Sequence, residues 1–187
     1  MNNVSLVLLV LAAFLVGAAV AFFAYRAYRE REAGRIRSHF GPEYERLAGE
    51  RGVHAAEKEL AQREKRAASF DIRPLAAQDR RLFQMRWQDV QREFVDDPKG
   101  SLAHADTLLG EVMAARGYPV KDFDQRAADL SVEHPVVVQH YHAAHEIALR
   151  HRDGKTTTED LRQAMIHYRA LFEELVSDTP PQAHAAE

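Results

Sequence analysis

The chain has 187 residues, no cysteine, and 25 lysines and arginines against 28 aspartates and glutamates, a formal charge of −3. Without cysteine there is no disulfide framework, no thiolate nucleophile and no cysteine-ligated zinc site. Five arginines against two glutamates give residues 1–37 a surplus of +3, which leaves −6 on residues 38–187, the wrong sign for a domain that holds nucleic acid by its phosphates.

Val4 to Ala24 is a run of 21 residues without a charge. At about 1.5 Å per residue a helix of that length spans roughly 30 Å, the hydrocarbon thickness of a bilayer. Its 13 leucines, valines and phenylalanines favour insertion by on the order of −4 to −8 kcal/mol. A signal peptide needs a basic n-region and a shorter apolar core. Here the flank Met1-Asn2-Asn3 has no basic residue, and the small-residue pattern Ala19-Val20-Ala21 lies inside the apolar run, ahead of Phe22 and Phe23. The expectation is a retained transmembrane helix over 4–24 with a short flank at 1–3.

Arg26, Arg29, Arg31, Arg35 and Arg37 follow the run. Positive charge on that flank predicts a single pass through the cytoplasmic (inner) membrane, with the N-terminus outside and the C-terminal domain cytoplasmic. Phe22, Phe23, Tyr25 and Tyr28 fit an interfacial aromatic belt, and the arginines are candidates for anionic lipid headgroups at about 1 kcal/mol each. Ala13, Gly17 and Ala21, spaced four apart, form a small-residue face that permits homo-oligomers.

Residues 25–70 are expected to form a basic juxtamembrane segment and a helical stalk or bundle edge. Pro42 suits the first position of a short helix to Ala48, and Gly49 and Gly52 break the pattern. Val53, Ala56, Leu60 and Ala67 recur at helical spacing up to Phe70. Pro74 then marks a linker turn at 71–75.

Residues 71–177 read as a helical bundle. Phe83, Trp87, Val90 and Phe94 make an apolar stripe on a helix from about Ala76 to Val95. Leu102, Ala105, Leu109 and Val112 define the next, which Gly117 and Pro119 stop. Asp122 with Gln125 suggests a cap for a short helix to about Leu130. Pro135 is expected to open a helix to Arg152. Thr156 with Glu159 suggests another capping box, ahead of a stripe of Leu161, Met165, Tyr168, Phe172 and Leu175. The tail 178–187 is expected to be disordered. The fold class is therefore all-α: one N-terminal transmembrane helix followed by a cytoplasmic helical bundle.

Chemical signals are sparse. Five of the ten histidines fall between His134 and His151. On a helical wheel they border the apolar stripe from two sides, so one helix cannot bring them to a single ion. His142 and His145, three apart, are the candidate metal pair and need ligands from another helix; a pH-responsive surface is the other functional reading. Asp122, Asp124, Arg126 and Asp129 fall within eight residues, and an Arg126–Asp129 pair at i, i+3 is expected as a charged lock between helices or a partner contact. No nucleophile elbow, phosphate loop or dinucleotide fingerprint is present, and no cofactor is expected.

The segments at 40–47 (FGPEYERL), 71–75 (DIRPL), 94–98 (FVDDP), 116–145 (RGYPVKDFDQRAADLSVEHPVVVQHYHAAH) and 159–176 resemble a group of bacterial membrane or secreted proteins. The likeness spans roughly residues 39–177. It implies a folded module and assigns it no activity, cofactor or site residue. The functional expectation is a membrane-anchored helical interaction or scaffold module with a protein partner. A ligand- or metal-binding domain using helix 134–151, and an exported envelope protein, are the alternatives.

Overall fold

The computed structural model describes residues 3–119, 121–152 and 156–177, and among them every regular element is a helix. The chain divides into two compact units, Met1–His39 and Phe40–Glu187. The expected tail at 178–187 and the turn at 153–155 lie outside the described residues.

The first unit is carried by α1 (Asn3–Phe40), one unbroken helix of 38 residues. At about 1.5 Å per residue it is about 57 Å long, nearly twice the apolar thickness of a bilayer. The basic half stays helical because no proline interrupts it and its charges pair along the axis. Arg26 Nε donates to Glu30 at 2.9 Å and Arg35 Nη2 to Glu32 at 2.7 Å. Leu11–Phe40 is long and apolar enough to cross a membrane, and none of its most apolar stretch is buried. Phe14, Phe22 and Phe23 stand 74%, 61% and 67% exposed.

In the second unit α2 (Pro42–Arg51) and α3 (Val53–Ala67) are separated by Gly52, whose φ of +83° is open to glycine at little cost. Tyr44, Leu47, Ala56 and Leu60 are buried, and these helices pack on α6 (Phe123–Glu133) and α7 (Val138–Arg152). The segment open between stalk and bundle edge is thus a bundle edge, and the compact unit starts at Phe40 rather than at 71.

The main core begins at Leu75 and is built from α4 (Ala77–Glu93), α5 (Pro98–Ala115), α6, α7 and α8 (Thr158–Val176). Helix α8 is its hub, packing on α4, α5 and α7. All five residues of its expected stripe are buried. Trp87 of α4 stacks on Phe172 of α8, ring centroids 4.6 Å apart and planes 12° from parallel. Phe94 sits half-buried at the core's margin.

Helix α5 ends as expected: Gly117 takes φ +95°, and Tyr118 N–H returns to the Met113 carbonyl at 3.0 Å. A Cβ at Gly117 would sit 2.1 Å from the Asp71 carbonyl oxygen, and Arg73 N–H donates to the Arg116 carbonyl at 2.9 Å. The turn at 71–75 therefore lies directly against the end of α5.

Two helix starts differ from expectation, and α2 runs through Gly49 to Arg51 rather than stopping at Ala48. The α7 helix starts at Val138, not at Pro135, because His134 ends α6 by donating its N–H to the Leu130 carbonyl and residues 135–137 form a turn. The capping box of α8 is Thr157 with Asp160, not Thr156 with Glu159. Thr156 is engaged elsewhere, its Oγ1 lying 2.6 Å from His151 Nδ1.

Candidate functional site

Three polar clusters tie the bundle together, and none is a local pair. The first is centred on Glu43, fully buried on α2. Its carboxylate accepts from Arg63 Nη1 at 2.8 Å, from Arg46 Nη2 and Nε at 2.7 and 3.0 Å, and from Gln139 Nε2 at 3.1 Å. His142 Nε2 lies 3.5 Å away. Burial pushes the Glu43 carboxyl up, but the donors His142, Arg46 and Arg63 outweigh it and hold the group well below the usual carboxylate range. Arg63 also donates to Ser131 Oγ at 3.1 Å, so one network links α2, α3, α6 and α7.

The second joins α3 to α6. Asp129, 1% exposed, accepts from Arg66 Nε and Gln125 Nε2, each at 2.9 Å, through Oδ1 alone. Its Oδ2 is buried with no hydrogen-bond partner among the described residues.

The third joins α6 to α5. Arg126 Nη2 donates to Asp106 Oδ2 at 2.9 Å and its Cζ lies 5.6 Å over the Tyr141 ring, while the Tyr141 hydroxyl donates to Asp106 Oδ1 at 3.1 Å. The expected Arg126–Asp129 pair is therefore absent: each has a partner on another helix, because both are buried enough to need stronger contacts than an exposed i, i+3 pair supplies. Asp122 caps α6 by accepting from Gln125 N–H at 2.9 Å, and Asp124 is exposed in the first turn. The four residues do not converge on one site.

His142 and His145 do not form a metal pair. The ring of Phe123 lies against both, stacked on His145 at 3.5 Å and edge-on to His142 at 5.7 Å, and His142 turns toward Glu43. Among the described residues no three His, Cys, Asp or Glu side chains are grouped so as to hold a metal ion. Of the arginines after the apolar run, Arg26 and Arg35 are paired with glutamates, while Arg29 and Arg31 have no acidic partner among the described residues.

No family model, no curated protein and no solved structure matches the chain. The geometry alone then marks the candidate site. Between α5, α7 and α8 opens a cleft of about 410 Å³, lined among others by Lys99, Leu102, Asp106, His145, Leu149 and Tyr168. That is a usual size for a small-molecule site, and its lining mixes leucine and alanine with the titratable side chains of Lys99, Asp106, His145 and His151. Its Asp106 wall is fixed from behind by Arg126 and Tyr141. Tyr168 is 1% exposed and borders this cleft beside Asp106. Burial, and Asp106 after it, push this phenol above its ordinary value, so it is a neutral donor at any physiological pH.

Sequence reasoning took Tyr168 as a core position and passed over Asp106 and Glu43. The available signal was a hydroxyl or carboxylate on an otherwise apolar face. Two histidine contacts were also missed. His134 Nδ1 lies 2.9 Å from Glu174 Oε1, and His140 Nδ1 lies 2.9 Å from His167 Nδ1. Burial lowers the His134 pKa; burial and then His140 lower that of His167.

Proposed function

We propose that the protein is a single-pass membrane protein whose helical bundle is held at the inner face of the cytoplasmic membrane, where it recruits a protein partner or self-associates. The observation that carries this is an apolar, unburied N-terminal stretch running without a break into the arginine-rich half of the same helix. Positive charge on one flank and none on the other favours a cytoplasmic bundle. Arg29 and Arg31, without acidic partners among the described residues, are the best placed to meet anionic headgroups. Confinement to a surface raises the bundle's effective concentration toward other membrane-bound proteins.

The test is a pair of C-terminal reporter fusions, one active only in the cytoplasm and one only after export, with immunoblotting for uncleaved, membrane-bound product. A cytoplasmic, full-length result supports the proposal. An exported or shortened product refutes it in favour of an envelope protein.

A second reading, that the bundle binds a ligand, is favoured by the cleft between α5, α7 and α8. It does not depend on which side of the membrane the bundle occupies.

A further inference from the structure

We propose that the cleft between α5, α7 and α8 is a binding site for a small organic monoacid, a carboxylate on an apolar body, with the carboxylate held at the end of the cleft that carries Lys99 and His151. The proposal rests on the ligand-binding reading of the bundle and holds in either topology.

The order of the lining residues along the two helices is the first ground. At one end α5 and α7 meet through the Tyr141 hydroxyl, which donates to Asp106 at 3.1 Å. From that contact the lining runs back along α5 to Lys99 and on along α7 to His151. These lie about 10 and about 15 Å away at 1.5 Å per residue. Leu102 and Ala103 on α5, and Ala148 and Leu149 on α7, fall in between. The cleft thus has an apolar middle, a closed end at Asp106 and a basic end at Lys99 and His151.

Charge is the second ground. Arg126 pairs with Asp106 at 2.9 Å and cancels its charge, whereas Lys99 is exposed and pairs with no acid among the described residues. The fixed charge around the cleft is therefore positive, and the other titratable groups that line it beside the neutral Tyr168 phenol, His145 and His151, are bases. His145 is stacked on Phe123. His151 has its Nδ1 2.6 Å from Thr156 Oγ1, which steadies the ring and leaves Nε2 to face a ligand. When the threonine hydroxyl donates to Nδ1, the ring proton sits on Nε2, where a carboxylate accepts it. A carboxylate also balances Lys99 and gains a charge-assisted hydrogen bond from it. An ammonium would add a second positive charge there, and an alcohol would leave Lys99 unbalanced. The volume of about 410 Å³ admits a body of one ring or a short chain.

The experiment titrates the full chain, reconstituted in nanodiscs of zwitterionic lipid at pH 7.5, with hexanoate, 4-methylbenzoate, acetate, 4-methylbenzyl alcohol and 4-methylbenzylamine. Binding is read by ligand-observed NMR against empty nanodiscs. Saturable binding of hexanoate, 4-methylbenzoate or both is expected, with the three others at least about tenfold weaker; the preferred acid tells a chain from a ring. Lys99→Met is expected to weaken the bound acid about fivefold, the modest effect of an exposed charge, with no drop in melting temperature. Ala103→Trp, at an exposed position in the apolar middle, is expected to fill the cleft and abolish binding. No saturable binding of any probe overturns the proposal together with the ligand-binding reading. The alcohol or the amine binding as tightly as the acids overturns the acid assignment and leaves that reading standing. Acetate binding as tightly removes the role of the apolar body, and acid binding that either variant leaves unchanged removes the site; each overturns the proposal.

Discussion

Glu43→Ala tests the cluster that docks α2 and α3 onto the rest of the bundle. Glu43 has no exposed side-chain surface and Arg63 only 7%. Truncating the carboxylate leaves Arg63 buried with only Glu59 at 3.1 Å and Ser131 at 3.1 Å, and strips Gln139 of its acceptor. Breaking a buried ion pair from one side costs about 3–5 kcal/mol. With a urea dependence of about 2 kcal/mol/M, the midpoint should fall by roughly 2 M. The main core starts at Leu75 and takes no residue from α2 or α3, so the damage should appear first as local opening. Amide exchange on the full chain reads this directly: α3 should lose protection while α8 keeps more of its own. Arg63→Ala should be comparably costly, and the double variant should fall short of the sum by at least about 1 kcal/mol. A Glu43→Ala loss below about 1 kcal/mol, or strict additivity with Arg63→Ala, would refute the assignment of Glu43 as the docking charge.

His134 and His167 both have folded pKa values below the ordinary 6.5. The unfolded chain then binds more protons than the folded one just below that pH, so stability rises with pH through the window and is lost as pH falls beneath about 6.5. Urea midpoints at pH 7.5 and 5.5 should show this drop, and it should shrink in His134→Phe. Gly117→Ala forces a side chain into φ +95° and against the Asp71 carbonyl. A destabilisation of at least about 1–3 kcal/mol is expected, read as a melting-temperature drop of several degrees. Thr157→Ala removes the α8 cap and should cost about 1 kcal/mol, whereas Thr156→Ala should leave that cap intact; equal losses in thermal melts would contradict the assignment of the box to Thr157.

The elements were legible where one residue's neighbours decide its conformation. The stripe of α8, the stop at Gly117 and the cap by Asp122 follow from local geometry, since periodicity, a positive φ and a side-chain oxygen near the first free N–H all act within one or two turns. The one-residue slip from Thr156 to Thr157 marks the edge of that reach: three threonines in a row offer equivalent caps, and the choice falls to the contact between Thr156 and His151. What escaped was the partnering of buried charge. Local spacing offers Arg126 and Asp129 to each other, but burial removes the water that makes an exposed pair adequate, so each carboxylate takes the donor that folding delivers. Asp129 takes Arg66, 63 residues away in sequence, and Asp106 takes Arg126, 20 away. Glu43 is the extreme case. Its donors come from α2, α3 and α7, and the one from Gln139 lies 96 residues away, a meeting that no window of helical spacing contains. The cleft is a smaller case of the same thing: Tyr168 belongs to an apolar stripe and packs as one of its members, yet it also borders the opening beside Asp106, whose partners Arg126 and Tyr141 come from α6 and α7.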